Sequence, residues 1–445
     1  MTRTVAETVK SAAQKLPGID DAAFGPCFDK FAKSRVVLIG DASHGTSEFY
    51  RARAAITQRL ISHHGFNVVG IEGDWPDVRA VDRFVRSNPA PKSVAREPIF
   101  KHFPRWMWRN KEMQEFVDWL REHNAHLPPN KRAGVYGLDL YSMGASIKAV
   151  IEYLEERDPE TAAIARKRYG CLEPWVENPA RYGRVALNKG YAPCEKGVVE
   201  MLRQLLAKRL TLAMHDGDDF LDAEMNARTV KDSEQYYRAM YYADEDSWNL
   251  RDGHMFETLR LLLKVKPGAK AVIWAHNSHV GDARYTSMGQ SRGEHNIGQL
   301  CKQHFKDSPE DVTIIGCSTH GGNDSTVAAA DNWDEPMRIK QVNPSREDSY
   351  EHIMHDTGIP SFLLDLRNRP ENDEVREALM QPRLERFIGV IYRPDTERYS
   401  HYSKAILPRQ FDALVWFDRT EAVKAFEIAQ PKEELSANET YPFGL

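Results

Sequence analysis

The chain has 445 residues, 41% hydrophobic and 28% charged, the balance of a soluble globular protein with one large domain or two to three ordinary ones. Its net charge of −5 comes from interspersed acidic and basic residues, so no basic patch argues for nucleic acid or an anionic membrane. No run approaches the ~20 apolar residues that a membrane-spanning helix needs.

The N-terminal stretch "MTRTVAETVKSAAQKLPG" has no signal-peptide shape and reads as an amphipathic helix, part of a helical lead-in over 1–34. Short apolar runs follow: "RVVLIG" (35–40), "VVGIEG" (68–73), "AGVYGLDL" (133–140), "AVIWAHN" (271–277), "VTIIGC" (312–317), "SFLLDL" (361–366), "FIGVIYR" (387–393) and "ALVWFD" (413–418). They are rich in β-branched residues and continuous rather than alternating, as strands buried on both faces are. Helical patterns separate them. Strand and helix in alternation predict an α/β fold with a largely parallel central sheet flanked by helices.

Residues 142–265 lack a convincing strand and predict an inserted helical cap, with a long helix over 220–242. Its Tyr236, Tyr237, Tyr241 and Trp248 either line a cleft or pack helices together. The core is thus expected in two parts, 35–141 and 266–420, with a short hairpin over 325–342 and a peripheral tail over 421–445. Cysteines at 27, 171, 194, 301 and 317 are scattered, odd in number and without a Cys-x-x-Cys pair. That usage predicts reduced thiols and a cytoplasmic location rather than a disulfide framework.

In parallel sheets ligands sit outside the carboxyl ends of the strands. The first four runs each end there in polar residues: Asp41 and His44, Glu72 and Asp74, Asp139, and His276 and His279. A helix from about Gly45 to Leu60, at about 100° per residue, puts Phe49, Ala52, Ile56 and Leu60 on one stripe. Arg53 falls on the same stripe and Arg51 opposite it. A buried arginine must be paired, because an unpaired buried charge is very costly; Glu72 or Asp74 is the expected partner. His44 precedes this helix, whose N-terminus disfavours imidazolium and so suits a general base. Gly40 and Gly45 suggest a tight turn and close approach of a ligand.

"WAHNSH" (274–279) supplies a His-x-x-His pair, a weak metal signal alone. "VIYRPDTERYSHY" (390–402) supplies a polar and aromatic rim with Arg393, Arg398 and His401, whereas His352 and His355 read as helix surface. Asp74, Tyr136, Asp139, Asn277, Asp282, Arg393 and His401 are the candidate substrate contacts. There is no Gly-x-Ser-x-Gly elbow, P-loop, dinucleotide fingerprint or His-Glu-x-x-His. Ser43 adjoins His44, but adjacent side chains rarely meet. Histidines and carboxylates without an evident nucleophile point to activation of water, that is, hydrolysis.

At these residues the chain resembles the erythromycin esterase family. The resemblance rests on "GDASHGTSEFY", "IEGDWPD", "HFPRWMWRN" (102–110), "YGLDLYS" (136–142), "SWNLRD" (247–252), "WAHNSHVGDAR" (274–284), "NIGQL" (296–300) and "IGVIYRPDTERYSHY" (388–402), running from about 35 to about 420. It is greatest to the broad branch of homologues rather than to the antibiotic-resistance enzymes. It implies an α/β core with a helical insertion, a deep cleft and hydrolysis of macrolide lactone esters. By resemblance His44 is the general base, and Glu72, Arg53, His276 and His279 are its catalytic partners. Resistance members carry Gly-Glu where this chain has Gly40-Asp41, a carboxylate one methylene shorter.

The expected scheme has His44 take a proton from water held by Glu72 or Asp41. The water attacks an ester or lactone carbonyl, and His276, His279 and Arg53 stabilise the oxyanion. One of the two histidines returns a proton to the leaving alkoxide. No cofactor is required. The alternative is a divalent metal on His44, Glu72, His276 and His279, which the nearby arginine would repel. A further rival is a polyketide-binding or biosynthetic protein on the same scaffold. The expected partner is a small-molecule ester or lactone, not nucleic acid or membrane.

Overall fold

The computed structural model describes residues 3–87, 105–186, 193–241, 244–266, 268–332 and 335–426. The first residues of the 102–110 motif and most of the expected 421–445 tail lie outside that set. Among the described residues there are twelve strands: β1 (Gln14–Lys15), β2 (Val36–Ile39), β3 (Val68–Asp74), β4 (Gly134–Asp139), β5 (Ala271–Trp274), β6 (Val312–Thr319), β7 (Thr326–Ala329), β8 (Arg338–Gln341), β9 (Ser361–Asp365), β10 (Arg383–Arg386), β11 (Tyr402–Ala405) and β12 (Ala413–Phe417). Eight make the central sheet, in the order β1-β9-β12-β6-β2-β5-β3-β4. From β12 to β4 every neighbouring pair is parallel; β9 runs antiparallel to both β12 and β1. The fold is therefore α/β with a mostly parallel sheet.

The continuous apolar runs are explained by burial on both faces. One large core packs Val37, Ile39, Val69, Trp274 and Val415 under the helix Ser47–His64. The other packs Val36, Leu38, Ile273, Ile314 and Trp416 against Leu259 and Leu262 of the helix Asp244–Val265. Among the described residues of 143–265 there are six α-helices, with their own core around Met143, Leu154, Leu205 and Val230. The longest, Arg209–Ala239, starts well before the expected 220. The 325–342 segment forms the β7–β8 antiparallel hairpin.

Two expectations are corrected. Residues 387–393 do not form a strand of the sheet. They make isolated bridges only, Ser43 to Ile388 and Ala330 to Ile391, because the chain crosses the sheet's carboxyl edge there. Cys171 and Cys194, 23 residues apart, are joined in a disulfide, while Cys27, Cys301 and Cys317 are free. Linear spacing did not reveal the pair, because the packing of Pro159–Tyr169 on Glu195–Ala207 brings those ends together. Cysteine usage therefore no longer argues for a reducing compartment. Among the described residues, no helix is long and apolar enough to cross a membrane.

Candidate active site

Strands β2, β5, β3 and β4 are distant in sequence but consecutive and parallel in the sheet. Their polar carboxyl ends therefore lie side by side. After β2, Ile388 accepts from His44 N at 3.1 Å and donates to Ala42 O at 2.8 Å, fixing the turn that carries His44. The glycines of this turn admit protein rather than ligand. A Cβ on Gly40 would lie 2.0 Å from Asn277 Oδ1, and one on Gly45 would lie 1.9 Å from the Ala328 carbonyl. In β3 the register slips between Ile71 and Asp74, a bulge that re-aims Glu72, whose carbonyl accepts from Trp108 Nε1 at 2.8 Å. After β5, His276 caps the short helix Asn277–Val280, its side chain accepting from Ser278 N.

Arg53 is buried on the core stripe, but its partner is Asp41, at 2.5 Å, rather than Glu72 or Asp74. Asp41 is nearer because the helix starts immediately after the turn and Arg53 reaches back along it. The guanidinium sits over the Tyr50 and Trp274 rings, 4.4 and 5.3 Å from their centroids. Burial opposes ionisation of Asp41, yet Arg53 and then His44 outweigh it and hold the carboxyl below its usual range.

His44 Nδ1 faces Asp41 Oδ1 at 3.4 Å, and Nε2 faces Glu72 Oε1 at 3.8 Å. A proton on Nδ1, directed at Asp41, leaves the Nε2 lone pair turned to the Glu72 side. The ring of His276 lies 4.8 Å from that of His44. Burial, and then His44, push the His276 imidazole down to about 3, so it is neutral at ordinary pH. Its Nδ1 takes Ser278, which places its proton on Nε2. That Nε2, together with Arg53 Nε and Nη2, is buried without a hydrogen-bond partner among the described residues.

Glu72 is held from several sides. Oε2 accepts from His276 N at 2.9 Å, and Oε1 accepts from Arg251 Nη2 at 2.7 Å, with His279 Nε2 at 3.3 Å. Burial opposes its charge, but His279, His44 and Arg251 hold the carboxyl well below its usual range. Arg251 also forks onto Asp139 at 2.9 and 2.6 Å. The other His279 nitrogen, Nδ1, meets Asp252 Oδ2 at 2.8 Å, and the ring stacks on Trp248 at 4.5 Å and 6°. Burial works against a charged His279, but Asp252 and Glu72 outweigh it and push it up to about 9. Protonated Nε2 donates to Glu72, so the 3.1 Å approach of Arg251 Nη1 is between two cations bridged by one carboxylate.

Asp41, His44, Arg53, Glu72, Asp139, His276 and His279 thus form one connected set. The other candidates hold the frame. Asp74 accepts from Tyr141 N at 2.7 Å and Ser142 Oγ at 2.5 Å. Tyr136 stacks on Trp75, and its hydroxyl takes Lys266. Asn277 donates to Cys317 O at 2.9 Å, tying β5 to β6. Asp282 pairs with Arg284 at 2.6 Å. Arg393 donates to Asn332 at 2.7 Å, and its N–H goes to His401 Nε2 at 3.0 Å. His401 spends its other nitrogen on Phe387 O at 3.2 Å.

Sequence reading missed Arg251 and Asp252 as site residues. With Trp248 they share one helix face at spacings of three and four, a signal present in "SWNLRD". The whole set is closed: His44 is 3% exposed and Glu72 5%. Two surface hollows of about 510 and 430 Å³ lie elsewhere, beside the N-terminal helix and beside Trp119.

The chain is similar to known proteins over most of its length. The erythromycin esterase family model matches residues 61–420. Erythromycin esterase type I of Escherichia coli is 21% identical over 281 residues, covering 59% of this chain and 67% of that protein. Type II from the same organism is 18% identical over 434 residues, covering 89% and 92%. The solved structure of an erythromycin esterase mutant in its open conformation superposes with a TM-score of 0.66 at 16% identity, over 92% of this chain and 97% of that one, and so shares the fold. With the family model spanning most of its length, and the α/β fold in common, the chain belongs to the erythromycin esterase family.

Proposed function

We propose that this chain hydrolyses an ester or lactone bond, with a macrolide-type lactone as substrate class, by water activated on His44 without a covalent intermediate. The observation that carries the reading is His44 itself, with Nδ1 towards Asp41 and Nε2 towards an ionised Glu72. A base needs an oriented ring and a basic nitrogen facing the water it deprotonates. Water held between His44 and Glu72 gives its proton to His44 and forms the new C–O bond at the carbonyl carbon. The tetrahedral oxyanion is met by Arg53 and His276, whose buried N–H groups lack protein partners. One such donor contributes roughly 3 kcal/mol. As the C–O bond to the alcohol breaks, His44 returns its proton to the alkoxide.

The reaction as proposed is metal-independent. A divalent ion on His44, Glu72, His276 and His279 fits these residues poorly, because Nδ1 of His276 is spent on Ser278 and both His279 nitrogens face carboxylates. Arg251 already occupies Glu72 Oε1.

The test is mass spectrometry of wild type and His44→Ala with a panel of macrolides, simple esters and lactones, on protein purified without metal-affinity columns and analysed for metal. Addition of one water to a macrolide, lost in the variant, supports the reading. Hydrolysis of simple esters alone moves the substrate class, and tight binding with no hydrolysis overturns the enzyme assignment in favour of a polyketide-binding role.

A further inference from the structure

We infer that the two histidines of the His-x-x-His pair are divided between two jobs by Asp252: His279 is a positioning residue that fixes Glu72 and never touches the substrate, and His276 alone presents a donor to the reacting oxygen. The inference rests on the hydrolase reading and assigns residues the family resemblance did not mark.

A histidine can serve a leaving oxygen only with a nitrogen free to reach it. His279 has none. Nδ1 is 2.8 Å from Asp252 Oδ2, Nε2 is 3.3 Å from Glu72 Oε1, and Trp248 covers one face of the ring. Asp252 is itself pinned, its Oδ1 accepting from Ile297 N at 2.9 Å, and it is fully buried. His276 is the opposite case. Its Nδ1 is spent on Ser278, two residues along, and its Nε2 is buried and unpartnered among the described residues.

Asp252 creates the difference. The groups facing His279 are Glu72 from β3, Asp252 and Arg251 from the helix Asp244–Val265, His276 from the end of β5, and buried Glu294 from the segment after Arg292. Asp252 and Glu72 favour the cation, while Arg251 and burial oppose it. Without Asp252 the ring would keep Glu72 as its one anionic partner and its Nδ1 would lose its acceptor, so the balance would move towards the neutral form. With it, Asp252, His279 and Glu72 form a chain of alternating charge that ends on the oxygen facing His44 Nε2 at 3.8 Å. Arg251 fastens the same oxygen to Asp139. The helix Asp244–Val265 thus supplies one cationic support of Glu72, Arg251, and the anion that charges the other, Asp252 beside His279, and the leaving-group proton is left to His44.

The experiment compares Asp252→Asn with wild type on aryl and alkyl esters of one acid, alongside ¹⁵N-histidine NMR of both proteins. An aryl leaving group such as p-nitrophenolate departs without a proton; an alkoxide needs one. As a positioning residue Asp252 affects both series alike, with kcat/KM falling by a factor on the order of 100 on each. NMR is expected to show both His279 nitrogens protonated at pH 7.5 in wild type and not in the variant. Loss confined to alkyl esters would overturn the proposal by making His279 the proton donor, and so would a neutral His279 in wild type. Should Asp252→Asn fail to fold, His279→Gln is read on the same two series, and wild-type NMR decides the charge. No turnover of any ester by wild type sinks the hydrolase reading alone, and NMR still decides the role of Asp252.

Discussion

Arg53 Nη1 and Asp41 Oδ2 lie 2.5 Å apart across the turn that carries His44, with side chains 1% and 0% exposed. Two charges that deep are stable only together. The pair sets the anionic side of His44 and, in the proposed reaction, would supply the cationic side of the carbonyl, so one ion pair would serve both the fold and the proposed chemistry.

Breaking that pair from one side should cost about 3–5 kcal/mol, since it strands a buried charge. Arg53→Met alone is therefore expected to lower stability by that amount. The double variant Arg53→Met with Asp41→Asn should regain part of it. Denaturant unfolding of the two singles and the double measures the coupling, and additive losses would contradict a mutually dependent pair.

His44→Ala removes the proposed base and leaves the buried Arg53–Asp41 pair in place. It should fold with a near-native melting temperature and lose turnover by at least ~100-fold, the lower range for general-base removal. Rate and circular dichroism on the same sample check it. Full turnover in a folded variant would exclude His44 as the base.

The two paired histidines make stability depend on pH in opposite senses. His276 has a folded value near 3 against an ordinary 6.5, so its contribution is complete above 6.5 and is lost as pH falls towards 3. His279 has a folded value near 9, so its contribution is complete below 6.5 and is lost as pH rises through 9. Asp41 and Glu72, both lowered, add to the acid-side loss below the ordinary carboxylate range. Melting temperature across pH 4–10 should therefore peak near neutrality. His276→Asn should flatten the acid limb between about 4 and 6.5, and Asp252→Asn the alkaline limb. Unchanged limbs in both variants would contradict these charge assignments.

Gly40→Ala should be strongly destabilising, because the added methyl meets Asn277 Oδ1, and Asn277 is anchored to Cys317. Overpacking of this kind costs typically about 1–3 kcal/mol. Asn277→Ala alone should cost about 1–3 kcal/mol by leaving the Cys317 carbonyl unsatisfied. Combined, the two changes should cost less than their sum, which thermal melts of the three variants would show.

The alternation of β-branched runs with helical patterns fixed the fold class, because strands buried on both faces and amphipathic helices each have their own periodicity. Local rules failed at 387–393, an apolar run spent crossing the sheet edge, and at Cys171 and Cys194, which helix packing joins. Asp41, His44, Glu72, His276 and His279 were legible because strand ends in a parallel sheet converge by topology. Arg53 was legible as a charge on an apolar stripe, but its partner was not, because the helix start decides its reach.

The sequence alone therefore determined the α/β architecture, the sheet edge where buried polar residues collect and most of the residues placed there. Only the tertiary structure decided who pairs with whom: Arg53 with Asp41, Arg251 with Glu72 and Asp139, and Asp252 with His279. The physical reason is that periodicity records which face of an element is buried, a local property. A salt bridge depends on distances between elements, which periodicity does not record; for Arg251 and Asp252 those distances depend on how the helix Asp244–Val265 lies across the strand ends.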